Sequence, residues 1–298
     1  MKFFISILVG LIFLTTSVCF ADDVAGQKRF VASLFSEGRY FDCISETRRL
    51  ASIQNKTGSL DYEYFILSNY FFAYQYLTVV NQINSNPKYF DEFNFKLILA
   101  DSLINSNKNY NLSQVFSEYK SDMNIGNEKK FEYLKLLVKA ELLTGNFQKA
   151  YSLTDEFYTS SEFNDSKQLW DDLKKYSDVR YRNPVVSSLL SAIVPGAGQI
   201  YSQKYFTGII SLLSVAACSA GGLYMYNKNE KGYAFTLFAF SGLFYAGNIY
   251  GAYNAAVNFN SASKNNFAKS VIDSNNLNFD PTKYYSSEIK NIIGEDKK

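Results

Sequence analysis

The residues of this chain that invite a chemical reading are few: acidic pairs such as Asp171-Asp172, a glycine-rich turn at Pro195-Gly196-Ala197-Gly198-Gln199, and three cysteines, Cys19, Cys43 and Cys218. The chain has no histidine. That removes the commonest general base, the Ser-His-Asp arrangement and most zinc sites. Adjacent residues on a helix point in different directions, so Asp171-Asp172 makes no two-carboxylate site. The glycine turn lacks the Gly-Lys-Ser/Thr that completes a phosphate loop. No catalytic residue, metal ligand or cofactor is expected, and the chain reads as a non-enzyme.

The elements around these residues say more. Asn183 to Ser263 contains three charge-free runs of 21, 23 and 32 residues, separated only by Lys204 and by Lys228-Asn229-Glu230-Lys231. About 20 apolar residues cross roughly 30 Å of hydrocarbon, so residues 205–226 and 233–257 are each long enough to span. Tyr201, Tyr205 and Phe206 at one end, with Tyr224, Tyr226 and Tyr233 at the other, suit aromatic belts at two membrane interfaces. Ahead of the hairpin, Val185 to Val194 rises only about 15 Å as a helix and breaks at Pro195-Gly196. Residues 185–201 therefore read as an interfacial or re-entrant piece, with a third full span as the alternative. Gly247, Gly251 and Ala255, at i, i+4 and i+8, form a small-residue stripe suited to helix packing, within the hairpin or between copies in a homo-oligomer.

Residues 1–21 read as an export signal: one charge at Lys2, an apolar core from Phe3 to Leu14, and small residues at Cys19 and Ala21. An uncleaved anchor helix and lipidation at Cys19 are the alternatives. The net charge of +2, with no basic run, argues against a nucleic-acid partner. Cys43 and Cys218 fall in the soluble and membrane parts, so no disulfide between them is expected.

Residues 22–181 carry helix-forming patterns and one recurring frame. Gly38-Arg39-Tyr40-Phe41-Asp42-Cys43 and Gly145-Asn146-Phe147-Gln148-Lys149-Ala150 share Gly, an aromatic two residues on, and a small residue three further. Lys108-Asn109-Tyr110-Asn111-Leu112-Ser113 fits with Lys for Gly. This resembles the tetratricopeptide repeat, in which Gly ends the first helix and the small residue admits close approach of the second. A further unit near Tyr70 is then required, although Leu60 to Ile83 also reads as one long helix. A less regular helical bundle is the alternative. The resemblance implies a groove lined by the first helix of each pair, with Glu132, Lys135 and Lys139 exposed on one face to hold an extended protein or peptide. An ordinary solvated helix face is the competing reading.

Ser191 to Tyr201, reading Ser-x-x-x-Pro-Gly-x-Gly-Gln-x-Tyr and followed by Gly208 and two spans, resembles a family of bacterial membrane-hairpin proteins of largely unknown function. It is similar, more distantly, to the two-transmembrane-domain family. The motif residues are Pro195, Gly196, Gly198, Gln199, Tyr201 and Gly208. The usual Gly soon after the Tyr is replaced by Ser202-Gln203-Lys204.

The expected organisation is thus all-α: a signal peptide at 1–21, a TPR-like domain at 22–181, a membrane domain at 184–257 and a polar tail at 258–298. The expected function is a membrane-anchored scaffold of the bacterial cell envelope, with repeats on the periplasmic side binding a protein or peptide and the hairpin in the lipid bilayer. The alternative is a channel or transporter component built from oligomerised hairpins, with Asn248 and Asn254 facing a lumen.

Overall fold

The computed structural model describes residues 24–106, 127–161 and 166–294. The export signal with Cys19, and the frame at Lys108–Ser113, lie outside the described residues. Among those residues the protein is all-α, with thirteen α-helices and three 3-10 turns and no strand. In chain order the helices are α1 (Val24–Ser36), α2 (Tyr40–Ile53), α3 (Leu60–Phe72), α4 (Tyr76–Asn84), α5 (Phe93–Asn105), α6 (Asn127–Thr144), α7 (Phe147–Ser161), α8 (Ser166–Lys174), α9 (Pro184–Ile193), α10 (Ala197–Tyr201), α11 (Tyr205–Asn227), α12 (Lys231–Ser274) and α13 (Ser287–Ile293). They form two compact units, one running to Leu136 and resuming at Asn278, the other Leu137–Leu277.

In the first unit consecutive helices pair through one turn geometry. Gly38 after α1 has φ +71, its N–H bonds Phe35 O at 3.1 Å, and the Arg39 N–H bonds Leu34 O at 2.9 Å. Tyr74 after α3 has φ +58, with Tyr74 N–H on Phe71 O at 3.0 Å and Gln75 N–H on Tyr70 O at 2.9 Å. This is the left-handed closure that satisfies the last carbonyls of a helix. The stretch Leu60 to Ile83 is therefore a helix pair, broken at Ala73-Tyr74-Gln75, and not one long helix. Cys43 performs the close approach expected of it: wholly buried on α2, its Sγ lies 3.8 Å from Val31 O of α1. Burial pushes its thiol up to about 11, so it is an inert packing group.

The core of this unit centres on α3, whose Tyr62, Tyr64, Phe65, Ile66, Leu67 and Phe71 are all buried. A helix apolar on nearly every face must be surrounded. Part of what surrounds it comes from the chain's far end. The expected polar tail at 258–298 is instead structured over its described residues, 258–294. Its first part continues α12 to Ser274, and its second part folds onto α1 and α3. Tyr285, Ile289 and Ile292 are buried there, with the Tyr285 ring 5.3 Å from Phe65 and 6.1 Å from Tyr64. Each such side chain contributes about 1.5–3 kcal/mol of burial. Lys56 Nζ meets both Glu288 oxygens, at 2.6 and 2.5 Å, and Tyr62 Oη lies 3.1 Å from Glu288. The composition of 258–298 is polar on average, but its second part carries Phe279, Tyr284, Tyr285, Ile289, Ile292 and Ile293, which pack against this core.

In the second unit Gly145 (φ +80) repeats the same closure between α6 and α7, with its N–H on Leu142 O at 3.0 Å and the Asn146 N–H on Glu141 O at 2.8 Å. Ala150 is wholly buried beyond it. Trp170 on α8 donates to Asp155 Oδ1 at 2.7 Å and stacks on Tyr158, which fastens α8 to α7. The distal half of α12 packs on both, through Phe267 against Phe147 and through Ser274 and Asn275 on the Asp172 carboxylate. Helix α12 runs 44 residues without a break, about 66 Å at 1.5 Å per residue.

Candidate functional site

The motif Ser191 to Tyr201 builds a tight helix–turn–helix against α11 and α12. Asn183 caps α9, its Oδ1 accepting from Val185 N at 2.9 Å and Val186 N at 3.2 Å. Helix α9 then runs antiparallel to α12: Arg182 meets Asn260, Ser187 meets Ala252 O at 2.7 Å, and Tyr245 donates to Ala192 O. Pro195 stops it, since proline cannot supply the next N–H. Gly196 turns the chain with φ +90, and α10 carries it back to Tyr201 and Ser202.

Three glycines allow this by letting backbones touch. A Cβ on Gly196 would lie 2.0 Å from Gly208 O, and one on Gly198 would lie 1.9 Å from Ser187 O. One on Gly208 would lie 2.7 Å from Gly196 O. No side chain fits at any of the three.

The exposed peptide groups of the turn are satisfied by buried side chains. Gln199 Nε2 donates to Asn248 Oδ1 at 2.7 Å and to Asn248 O at 3.0 Å, and its Oε1 accepts from Ser191 Oγ at 2.9 Å. Asn248 Oδ1 also takes the Gly196 N–H at 3.1 Å, and Ser191 Oγ takes the Gly198 N–H at 2.9 Å. Ser187 Oγ bonds Gly198 O at 2.9 Å and lies 3.2 Å from Ser202 Oγ. Ser187, Ser191, Gln199, Ser202 and Asn248 are all buried. Buried non-helical backbone needs this kind of internal satisfaction. Gln203, at φ +62, holds the left-handed position after α10 that a glycine would take more easily.

Around this lock the surface is apolar. Ile193 is 79 % exposed, Phe206 77 %, Leu213 61 % and Leu243 68 %. Among the described residues one helix, α11, is long and apolar enough to cross a membrane, and α9 is a shorter apolar helix. The first half of α12 is less apolar, carrying four tyrosines, Asn248 and Asn254 between Tyr233 and Val257. It nevertheless pairs with α11 along its length, with Ser219 Oγ 2.7 Å from Ser241 Oγ.

The predicted packing stripe is displaced. Gly247 is exposed with open space around it, and a Cβ added at Gly251 would meet Gln199 Nε2 at 3.4 Å, an ordinary contact. The inward face is Ser241, Asn248, Ala252, Ala255 and Ala256, so of the three predicted residues Ala255 lies on it. The helix phase is set by Asn248, whose amide must reach the turn. Asn248 is therefore not free to line a pore. Cys218 is half-buried on α11.

The groove residues fare differently. Lys135 and Lys139 are buried, at 8 % and 4 % exposure, where an exposed binding face was expected. Lys135 Nζ turns back to Glu132 at 2.6 Å and lies 5.5 Å from the Phe131 ring. The aliphatic stem of Lys135 packs while its charge is met locally. Glu132 alone reaches an open groove, of about 400 Å³, with Glu92, Phe93, Asn94, Lys129 and Tyr284. Lys129 Nζ sits 5.3 Å from the Phe93 ring there. Asn94 and Tyr284 carried no sequence signal, because they converge only when the tail folds back.

Residues 180–287 match a family model described as a family of unknown function, DUF5683. The matched stretch takes in α9, α10 and the turn between them, the pair α11–α12 and the approach to α13. No curated protein and no solved structure matches the chain.

Proposed function

We propose that the protein is a non-enzymatic, membrane-anchored scaffold of the cell envelope. The hairpin α11–α12 sits in the bilayer, the re-entrant turn wedges its base, and the helical pairs hold a protein or peptide partner. The observation that carries this reading is the return of the chain. Residues 278–294 belong to the same unit as α1 to α5, and Tyr285, Ile289 and Ile292 are buried in its core. A chain that leaves a folded unit, enters a bilayer and ends inside that unit crosses an even number of times. This supports α11 and the first half of α12 as the two crossings, with α9 and α10 entering and leaving on one side. The signal at 1–21 supports placing the helical pairs on the periplasmic side.

The partner surface is assigned to the groove of Glu92, Phe93, Asn94, Lys129, Glu132 and Tyr284, where two carboxylates flank aromatic rings. The concave side of α1 and α3 is filled by α13 and is not available. A photoreactive residue at Asn94 in the full-length, membrane-bound protein should give adducts that are absent with the same probe at Arg48, and Lys129→Glu should change them. Identical adducts from both positions would remove the groove from the proposal.

A further inference from the structure

Between Val179 and Ile272 the chain has a single carboxylate, Glu230, in the turn between α11 and α12. The opposite end of the hairpin carries Arg180, Arg182, Lys204 and Lys264. None of these four has a carboxylate partner among the described residues. Arg180, Lys204 and Lys264 are exposed. Lys264 Nζ stands 5.9 Å from the Tyr181 ring, and Lys204 immediately precedes α11.

Arg182 is held differently. Its N–H donates to Asn260 Oδ1 at 2.7 Å and its carbonyl accepts from Asn260 Nδ2 at 2.8 Å. Its guanidinium lies 4.9 Å from the Tyr201 ring and 5.4 Å from Phe259, and its buried Nε makes no hydrogen bond. A cation is thus clamped between two rings, one residue before the cap of α9, where the apolar surface of Val185, Val186 and Leu189 begins.

We propose that this basic collar, centred on Arg182, binds the phosphate of an anionic phospholipid whose acyl chains lie on the apolar face of α9. A guanidinium is weakly hydrated and planar, and it suits phosphate oxygens. Ring stacking fixes its place in advance, so little conformational freedom is lost on binding. The α9 N-terminus itself is already satisfied by Asn183, so the side-chain cations are the anion-binding groups. The adjoining apolar surface selects a lipid over free phosphate. This inference rests on the reading of the hairpin as membrane-embedded.

The test uses the full-length protein in neutral detergent, following thermal unfolding with added phosphatidylglycerol, phosphatidylcholine or inorganic phosphate. Phosphatidylglycerol should raise the midpoint well above phosphatidylcholine, and inorganic phosphate should leave it unchanged. Arg182→Gln should lose most of the phosphatidylglycerol-specific shift, whereas Lys228→Gln at the far turn should keep it. The triple change Arg180→Gln, Lys204→Gln, Lys264→Gln replaces only exposed groups, so it should reduce the shift without altering the midpoint in phosphatidylcholine. Equal shifts with both lipids, or a specific shift retained in both collar variants, would overturn the inference. An equal response to inorganic phosphate would make the ligand a free anion and overturn the lipid assignment. Release of the protein from native membranes by alkaline carbonate would instead refute the membrane reading itself.

Discussion

Gly198→Ala tests the packing of the re-entrant turn with one methyl group. That methyl would stand 1.9 Å from Ser187 O and 2.8 Å from the Ala252 Cβ. Neither neighbour is a flexible side-chain end, so α9 or α10 must shift by more than 1 Å away from α12. Overpacking of this kind costs about 1–3 kcal/mol. The shift also strains the Ser187 hydroxyl, whose one proton is shared between Gly198 O and Ala252 O, a hydrogen bond worth about 0.5–1.5 kcal/mol. Together the loss is about 1.5–4.5 kcal/mol. At roughly 2–4 °C per kcal/mol for a unit of this size, the unfolding midpoint should fall by about 3–18 °C. The assay is thermal unfolding of the full-length protein in detergent, read through Trp170 fluorescence, because Trp170 lies in the same unit. Gly247→Ala is the matched control: nothing lies within 4 Å of its added methyl, so it should be neutral or gain up to about 1 kcal/mol from helix propensity. A Gly198→Ala midpoint indistinguishable from that of Gly247→Ala would refute the close-approach argument.

Replacing Gln199 with Leu removes the amide that joins α10 to α12 and takes the acceptor from the Ser191 hydroxyl and the side-chain donor from Asn248 O in a buried site; a loss of about 1–3 kcal/mol per unpaired group should appear in the same melt. Ile289→Ala should destabilise the first unit by about 2–5 kcal/mol, seen as faster proteolysis of its helices, because Ile289 is buried in their core. Ala150→Trp should destabilise the second unit by at least about 1–3 kcal/mol, since Ala150 is wholly buried at a helix contact. The hydrogen bond from Lys56, with help from Tyr62, holds the Glu288 carboxyl below its ordinary value of 4.5. Its contribution is therefore present above about pH 4.5 and is lost as the pH falls through the lower folded-state value. Wild type should exceed Glu288→Gln by up to about 1 kcal/mol at pH 7 and converge with it at acid pH, and a gap that widens on acidification would contradict the latch.

The all-helical class was legible from residues 22–181, and the turns at Gly38 and Gly145 were legible because glycine marks a left-handed closure. The identical turn at Tyr74 was hidden: its side chain is 79 % exposed, so the strain of a tyrosine at positive φ leaves no trace in the pattern. The break at Pro195-Gly196 announced the turn between α9 and α10, and Gly198, Gln199 and Gly208 all lie in its lock. Asn248 was not recognisable as the partner of Gln199, nor Ala252 as that of Ser187, because hydrogen bonds across 49 and 65 residues have no local signal. The same absence misdirected the small-residue stripe, since glycine spacing alone does not fix which face of a helix turns inward. The tail was misread for a related reason. Its average polarity concealed Tyr285, Ile289 and Ile292, whose burial depends on helices more than 200 positions earlier.

Topology tests the central claim most directly. Single cysteines at Arg48, Asn229 and Ser287, all exposed positions, would be introduced in a chain lacking Cys43 and Cys218 and probed in sealed membranes with an impermeant thiol reagent. Arg48 and Ser287 should react together from the export side, and Asn229 should react only after permeabilisation. Labelling of Arg48 and Ser287 from opposite sides, or of all three from one side, would contradict a scaffold whose two ends meet across a two-span hairpin.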